Sequence, residues 1–189
     1  HQPWVGVATL NIAKTQQIQQ QAIEAGAKGL RVVGCIETGQ ELLQRFETDD
    51  VFVGLIGNWL AIEPLLATGT VDVFAMEENC SPPAIAPYGE KYQATIVSIN
   101  DLVRIPDLKH TLDYKPPEAE YIAKRLIELG IENYKKRKGK IIPKVPQIKM
   151  KAIAGFSTEA VLSVLGDTLD PLFDVISQGK LKGVVALVS

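Results

Sequence analysis

Short apolar, β-branched runs recur along this chain between stretches of helical period, and that alternation constrains the fold more than any other feature. Residues 29–35, 51–55, 71–76 and 94–99 each read as a strand. They are too short for stable helices and almost continuously apolar, as strands buried on both faces of a parallel sheet are. Between them the spacing predicts helices over 39–46 and 59–67, then a short helical or irregular segment after Pro82-Pro83. A single helix is expected over 3–25, with Val5, Ala8, Ile12, Ile18, Ala22 and Ile23 among glutamines and a stop at Gly26. Strand–helix alternation at this pitch means βαβ units with right-handed crossovers. The fold class is therefore α/β, a Rossmann-like parallel sheet flanked by helices.

Residues 100–116 show no period and contain Pro106 and Pro116, so they read as a surface loop. Pro117 suits the first turn of a helix running to about 134, whose stripe is Ala119, Ile122, Ala123 and Leu126. The expected organisation is a first lobe over 1–134, a linker over 135–150 that is basic and broken by Pro143 and Pro146, and a second α/β lobe over 151–189. In that lobe a strand is expected over 152–156, then a helix capped by Ser157 and stopped at Gly166. A second helix starts at Asp170-Pro171 and stops at Gly179, and a last strand covers 183–188. A parallel strand needs cover on both faces. With no helix after the last strand and no strand before the first helix, the chain is expected to be a fragment of a larger protein whose second lobe is incomplete.

Composition excludes several classes. With 46% hydrophobic and 22% charged residues the chain belongs with globular domains. No apolar run approaches the roughly 18–20 residues of a membrane span, and the start lacks a signal-peptide pattern, so no membrane span and a cytoplasmic location are expected. A formal net charge of −2 gives no electrostatic reason to bind nucleic acid. The run Lys135, Lys136, Arg137, Lys138 and Lys140 reads as a solvated helix end whose cations complement the dipole. Cys35 and Cys80 are too few for a disulfide scaffold.

Ligands of open α/β sheets bind beyond the carboxyl ends of the strands. Cys35, Glu37 and Thr38 follow the first strand; Glu77, Glu78, Asn79 and Cys80 follow the third. Thiolate and carboxylate at neighbouring strand ends suit a transition metal or an iron–sulfur centre, although from spacing alone two buried core cysteines are the more ordinary explanation. A dinucleotide site lacks its phosphate loop, since no GxGxxG or GxxxxGK[ST] follows any strand. No GxSxG is present, His110 lies in the irregular stretch, and Ser157 reads as a helix cap.

The order of several segments resembles the middle of the catalytic subunit of the nickel–iron–sulfur carbon monoxide dehydrogenases, over nearly the whole chain. The segments are His1-Gln2-Pro3, Ala25 to Gly29, Val33 to Glu41, and Thr68-Gly69 through Asp72 to Cys80 with Pro83; then Lys151 to Ala160, Asp170-Pro171-Leu172 and Gly183-Val184-Val185. The resemblance implies Rossmann-like lobes whose strand ends meet around a buried Ni-Fe-S centre, the C-cluster, usually in a homodimer. It implies that His1 matches an iron-binding histidine and Cys80 a cysteine that binds the iron–sulfur core. A further ligand would follow the strand that ends at Ser189.

One departure matters. Where that family writes Ile-Cys-Cys-Thr-Gly, this chain writes Cys35-Ile36-Glu37-Thr38-Gly39, so the ligand cysteine aligns with Glu37, and a one-residue slip offers Cys35 instead. The His, Glu and Cys set resembles that of hybrid cluster proteins, which hold an iron–sulfur–oxygen cluster and reduce hydroxylamine. The expected metal ligands are thus His1, Glu37 and Cys80, with Cys35 as the alternative. The expected function is a fragment of an iron–sulfur oxidoreductase that interconverts CO and CO2 at a Ni-Fe-S cluster or reduces hydroxylamine at a hybrid-type cluster. In the full-length protein the resemblance implies a small gaseous or inorganic substrate and an electron carrier such as ferredoxin. The alternative is a non-catalytic structural or partner-binding module that has lost its cluster. The 189-residue chain alone is expected to be inactive and to hold no stable cluster.

Overall fold

A computed structural model describes residues 3–77, 81–82, 84–100, 105–148, 150–151, 153 and 155–186. The chain divides into two compact units, His1–Ala152 and Ile153–Ser189.

The first unit begins with α1 (Pro3–Ala13) and α2 (Gln16–Glu24) where the apolar spacing predicts one helix. Thr15 causes the break. Its hydroxyl donates to the Ile12 carbonyl at 2.8 Å, closing α1, and accepts from the Ile18 amide at 3.4 Å, capping α2. A hydroxyl that competes for backbone partners outweighs a helical period that continues across it. Gln19 on α2 then latches the following loop: its amide nitrogen donates to the carbonyls of Ala13 (2.7 Å) and Leu30 (3.1 Å), and its oxygen accepts from the Leu30 amide (3.0 Å).

Among the described residues five short strands follow, all paired in parallel, but in two ladders rather than one continuous sheet. β1 (Val32–Cys35) pairs with β2 (Phe52–Ile56). β3 (Val73–Met76) pairs with β4 (Thr95–Ser98), which pairs with β5 (His110–Thr111). The last lies inside the stretch read as a loop; two residues are too few to show a period, and β5 exists because the Ser98 edge offers it partners. The connections are α3 (Ile36–Arg45), a 3-10 turn (Trp59–Ala61) continuing into α4 (Ile62–Ala67), and α5 (Ile85–Tyr92). A 3-10 turn (Pro116–Glu118) then opens α6 (Ala119–Arg137).

In the second ladder β3 and β4 send side chains into cores on both faces, as their unbroken apolar runs require. Val97 and Ile99, with Val73, pack beneath α1 and α6 against Val5, Ile122 and Leu126. The alternate residues Phe74, Met76 and Ile96 pack on the opposite face with Ile62 and Leu66 of α4 and Ile85 of α5. A third cluster, Leu10, Leu42 and Phe52, joins α1 and α3 to the first ladder.

The basic run does not behave as a uniformly solvated helix end. Arg137 is 5% exposed and folds back from the end of α6 onto the turn before β3. It donates to the carbonyls of Val71 (2.7 Å) and Gly69 (2.8 Å) and pairs with Asp72 at 2.5 Å. The segment beyond it packs on the same turn: the Lys144 amide donates to the Thr68 carbonyl at 2.7 Å. Residues 138–148, read as linker, therefore belong to the first unit.

The second unit contains α7 (Thr158–Leu165) and α8 (Asp170–Ser177). Ser157 caps α7 by accepting from the Ala160 amide at 3.2 Å, and Gly166 ends it in the left-handed conformation at φ +82°. Of the expected strand over 152–156, residues 153, 155 and 156 are irregular, and 152 and 154 lie outside the described residues. Of that over 183–188, residues 183–186 are irregular and 187–188 lie outside. Among the described residues this unit has no strand, which a sheet needs neighbours to create.

Candidate functional site

The carboxyl end of β1 runs into α3 with no intervening loop. Cys35 is the last strand residue and also the N-cap of α3, in extended conformation (φ −133°, ψ 133°). Ile36 follows at φ +50°, a left-handed value that is a genuine outlier for a β-branched residue. Such strain persists only where surroundings fix it. Here they do, because α3 sits against the strand: a methyl group on Gly34 would lie 2.6 Å from the Cα of Gly39. Two glycines thus let a helix begin at the strand end, with Glu37 in its first turn where the dipole favours a carboxylate. On the other side α1 closes in, since a methyl on Gly6 would lie 2.8 Å from Thr38 Cγ2.

The carboxyl end of β3 leads to Glu77, and the Ser81 hydroxyl donates to the Glu77 carbonyl at 2.7 Å. Both strand ends open on one cleft of about 1440 Å³, to which Cys35, Glu37, Glu77 and Ser81 all contribute. Glu37 and Glu77 are half-buried. Cys80 and His1, the other expected ligands, lie outside the described residues. Among the described residues no three His, Cys, Asp or Glu side chains are gathered closely enough to hold a metal ion. His110 is exposed on β5, away from this rim, and lines a separate small groove.

Burial pushes the Cys35 thiol up to about 11, and the Glu37 carboxylate adds to the effect. At neutral pH the sulfur is a protonated thiol beside a carboxylate. A cation at this corner reverses that preference, since its charge favours the thiolate, and binding then releases a proton. Ile36 and Ser81 were not legible as part of the site, because the first acts through a backbone angle and the second through a turn. Arg137 was hidden in a charge run.

The Prismane/CO dehydrogenase family matches residues 1–189. A carbon monoxide dehydrogenase of Archaeoglobus fulgidus is 49% identical over 189 residues, and carbon monoxide dehydrogenase 2 of Methanosarcina acetivorans is 45% identical over 189 residues. Each alignment covers 100% of this chain and 30% of the relative, so the chain spans about 30% of the length of the curated relatives it matches. Among solved structures, the Ni-free carbon monoxide dehydrogenase of Thermococcus sp. AM4 superposes with a TM-score of 0.78 at 33% identity, covering 97% of this chain and 28% of that one. Carbon monoxide dehydrogenase IV of Carboxydothermus hydrogenoformans gives 0.75 at 28% identity, covering 96% and 28%.

Proposed function

Starting from the premise that this chain belongs to the Prismane/CO dehydrogenase family, we propose that it is a segment of an iron–sulfur oxidoreductase that interconverts CO and CO2. The observation that carries this reading is that the ends of β1 and β3 place a thiol and carboxylates on the lining of one cleft. Their chemistry fits iron, for which sulfur and carboxylate oxygen are both ligands. The described residues offer too few of them to hold a cluster unaided. Glu37 or Cys35 would be joined by His1, Cys80 and further groups of the full-length protein. Bound there, such a cluster supplies electron storage and a Lewis-acidic metal.

The chain's own contribution is placement. The Gly34–Gly39 contact fixes the direction in which Cys35 and Glu37 leave the strand. The half-buried rim limits water around them. A thiol held in its protonated form leaves Cys35 uncharged at neutral pH until a cation favours the thiolate. In the full-length protein the substrate is a small gas, the electron partner is ferredoxin-like, and the assembly is a homodimer.

Glu37 favours a second reading, a hybrid-type cluster with oxygen-rich iron that reduces hydroxylamine. Anaerobically purified full-length protein separates the two. Nickel, a CO-reducible spectroscopic centre and CO oxidation support the first. Iron without nickel, with hydroxylamine reduction, supports the second. Iron no higher than electron-transfer clusters require, with neither activity, overturns both in favour of a non-catalytic module.

A further inference from the structure

The basic run continues well past the helix on which it starts. Residues 135–151 hold eight of the chain's 20 Lys and Arg residues, and no Asp or Glu lies between Glu132 and Glu159. The dipole of α6 accounts for the cations of its last turn, Lys135, Lys136 and Arg137. Its influence fades beyond that turn, which leaves Lys138, Lys140, Lys144, Lys149 and Lys151 without that reason. Ion pairing does not supply one. Along α6, Lys124 meets Glu120, Arg125 meets Glu128 and Glu132, and Arg137 meets Asp72. Lys138, Lys140, Lys144 and Lys151 are exposed, and none of them pairs with a carboxylate among the described residues.

The first unit fixes the backbone of this segment. The amides of Lys140 and Ile141 donate to the Arg137 carbonyl at 2.9 and 3.1 Å, and that of Lys144 donates to the Thr68 carbonyl at 2.7 Å. Ile141 turns inward, where a methyl on Gly69 would lie 2.8 Å from its Cγ2. Ile142 and Met150 turn outward, 81% and 89% exposed, and neither lines the cleft. The anchors lie on the turn before β3, so the patch sits at the amino ends of the strands, opposite the rim of Cys35 and Glu37. Further polypeptide can cover two aliphatic side chains. It cannot cover this many lysines without matching carboxylates, because unpaired buried ammonium groups are strongly unfavourable.

We propose that this face docks on the surface of an anionic lipid bilayer, with the lysines on the head groups and Ile142 and Met150 at the boundary with the acyl chains. Charge complementarity gives the sign of the partner, and side-chain chemistry gives its class. The cores of protein interfaces are depleted of lysine. Nucleic-acid sites draw on arginine forks and stacking aromatics, whereas the one arginine here is spent on Asp72 and residues 135–151 contain no aromatic. A fluid layer of anionic head groups needs neither a fork nor a pocket. Flexible point charges with exposed aliphatic side chains between them suffice. No helix of the described residues is long and apolar enough to cross a membrane, so this contact is peripheral. It does not depend on which cluster the full-length protein holds.

The test sediments full-length protein, purified anaerobically, with vesicles of phosphatidylglycerol and phosphatidylcholine in equal parts, and with vesicles of phosphatidylcholine alone. Binding is expected only to the anionic vesicles and is expected to weaken as salt rises. Equal binding to both, or binding to neither, overturns the proposal. So does capture of an oligonucleotide or an acidic protein by these lysines without vesicle binding. The combined variant Lys138→Gln, Lys140→Gln, Lys144→Gln and Lys151→Gln is expected to bind anionic vesicles at least about 100-fold more weakly. Lys91→Gln, Lys109→Gln and Lys124→Gln together remove charge elsewhere and are expected to leave binding nearly unchanged. Equal losses in the two variants would show that net charge acts and this face does not. Should the fourfold variant fail to fold, a polarity-sensitive fluorophore at position 142 of otherwise unsubstituted protein decides: its emission shifts to the blue on anionic vesicles, and an unshifted spectrum overturns the proposal.

Discussion

The two compact units treat apolar side chains in opposite ways. In the first, β3 and β4 send alternate residues into cores on both faces, and Phe52 is fully buried. In the second, α7 and α8 contain no buried residue, and Val164 and Phe173 are 88% and 58% exposed. The local signals are equally good in both, since Ser157 and Gly166 cap α7 as well as Thr15 caps α2. Caps start and stop helices, but they do not build a core. What separates the units is contact between residues distant in sequence, such as Asp72 with Arg137. Among the described residues, these two helices of 8 residues each bury none of their own side chains.

The comparison breaks most sharply at matched phenylalanines. Phe52→Ala is expected to lower the stability of the first unit by about 3–5 kcal/mol, from lost burial and the cavity left behind. Phe173→Ala is expected to change stability by no more than about 0.5 kcal/mol. Both tryptophans, Trp4 and Trp59, lie in the first unit, so their fluorescence in a denaturant titration reads Phe52→Ala directly, and circular dichroism reads the pair. Equal losses at the two positions would end the contrast.

A similar test divides the basic run. Arg137→Met is expected to destabilise the first unit by about 3 kcal/mol, because it strands Asp72 and the carbonyls of Gly69 and Val71. The exposed neighbour changed in Lys136→Met is expected to stay within about 0.5 kcal/mol. If both substitutions were silent in thermal unfolding, the whole run would be a solvated helix end after all.

Glycines give a smaller contrast of different origin. Gly34→Ala presses a methyl onto the backbone of α3 and is expected to remove about 1–3 kcal/mol. Gly166→Ala meets open space and pays only for its positive φ, about 1 kcal/mol. Loss of helix signal in the second variant, and of tryptophan-detected stability in the first, are the readouts.

The effect confined to alkaline pH is that on Cys35. Below about 9 the thiol is neutral folded and unfolded, so it contributes equally to both states. Between about 9 and 11 only the unfolded chain loses the proton, and stability falls as pH rises through that window. Metal-free chain is expected to lose this slope in Cys35→Ala. At pH 8, alkylation of Cys35 should run about 100-fold slower than that of a free thiol. Fast alkylation would show that the strand mouth is open and electropositive without metal.

Much of the first unit was legible. The β-branched runs located β1 to β4 because a strand buried on both faces has to be apolar throughout, and Pro117 and the stripe from Ala119 to Leu126 located α6. The break at Thr15 and the strand at His110–Thr111 were not, since each depends on one hydrogen-bond competition or one available edge. At the candidate site, the residue types at the strand ends were readable, whereas the left-handed Ile36 and the approach of Gly34 to Gly39 exist only once helix and strand are packed.

By itself the sequence determined the strand and helix periods, the cap at Ser157, and the polar groups that follow β1 and β3, because these depend on neighbours within a few residues. Tertiary structure alone decided that the described strands form two ladders, that Arg137 is buried, and that Cys35 and Glu77 share one cleft. Those features depend on which distant edges find partners and which charges lose water, and neither is written in any local stretch of the chain.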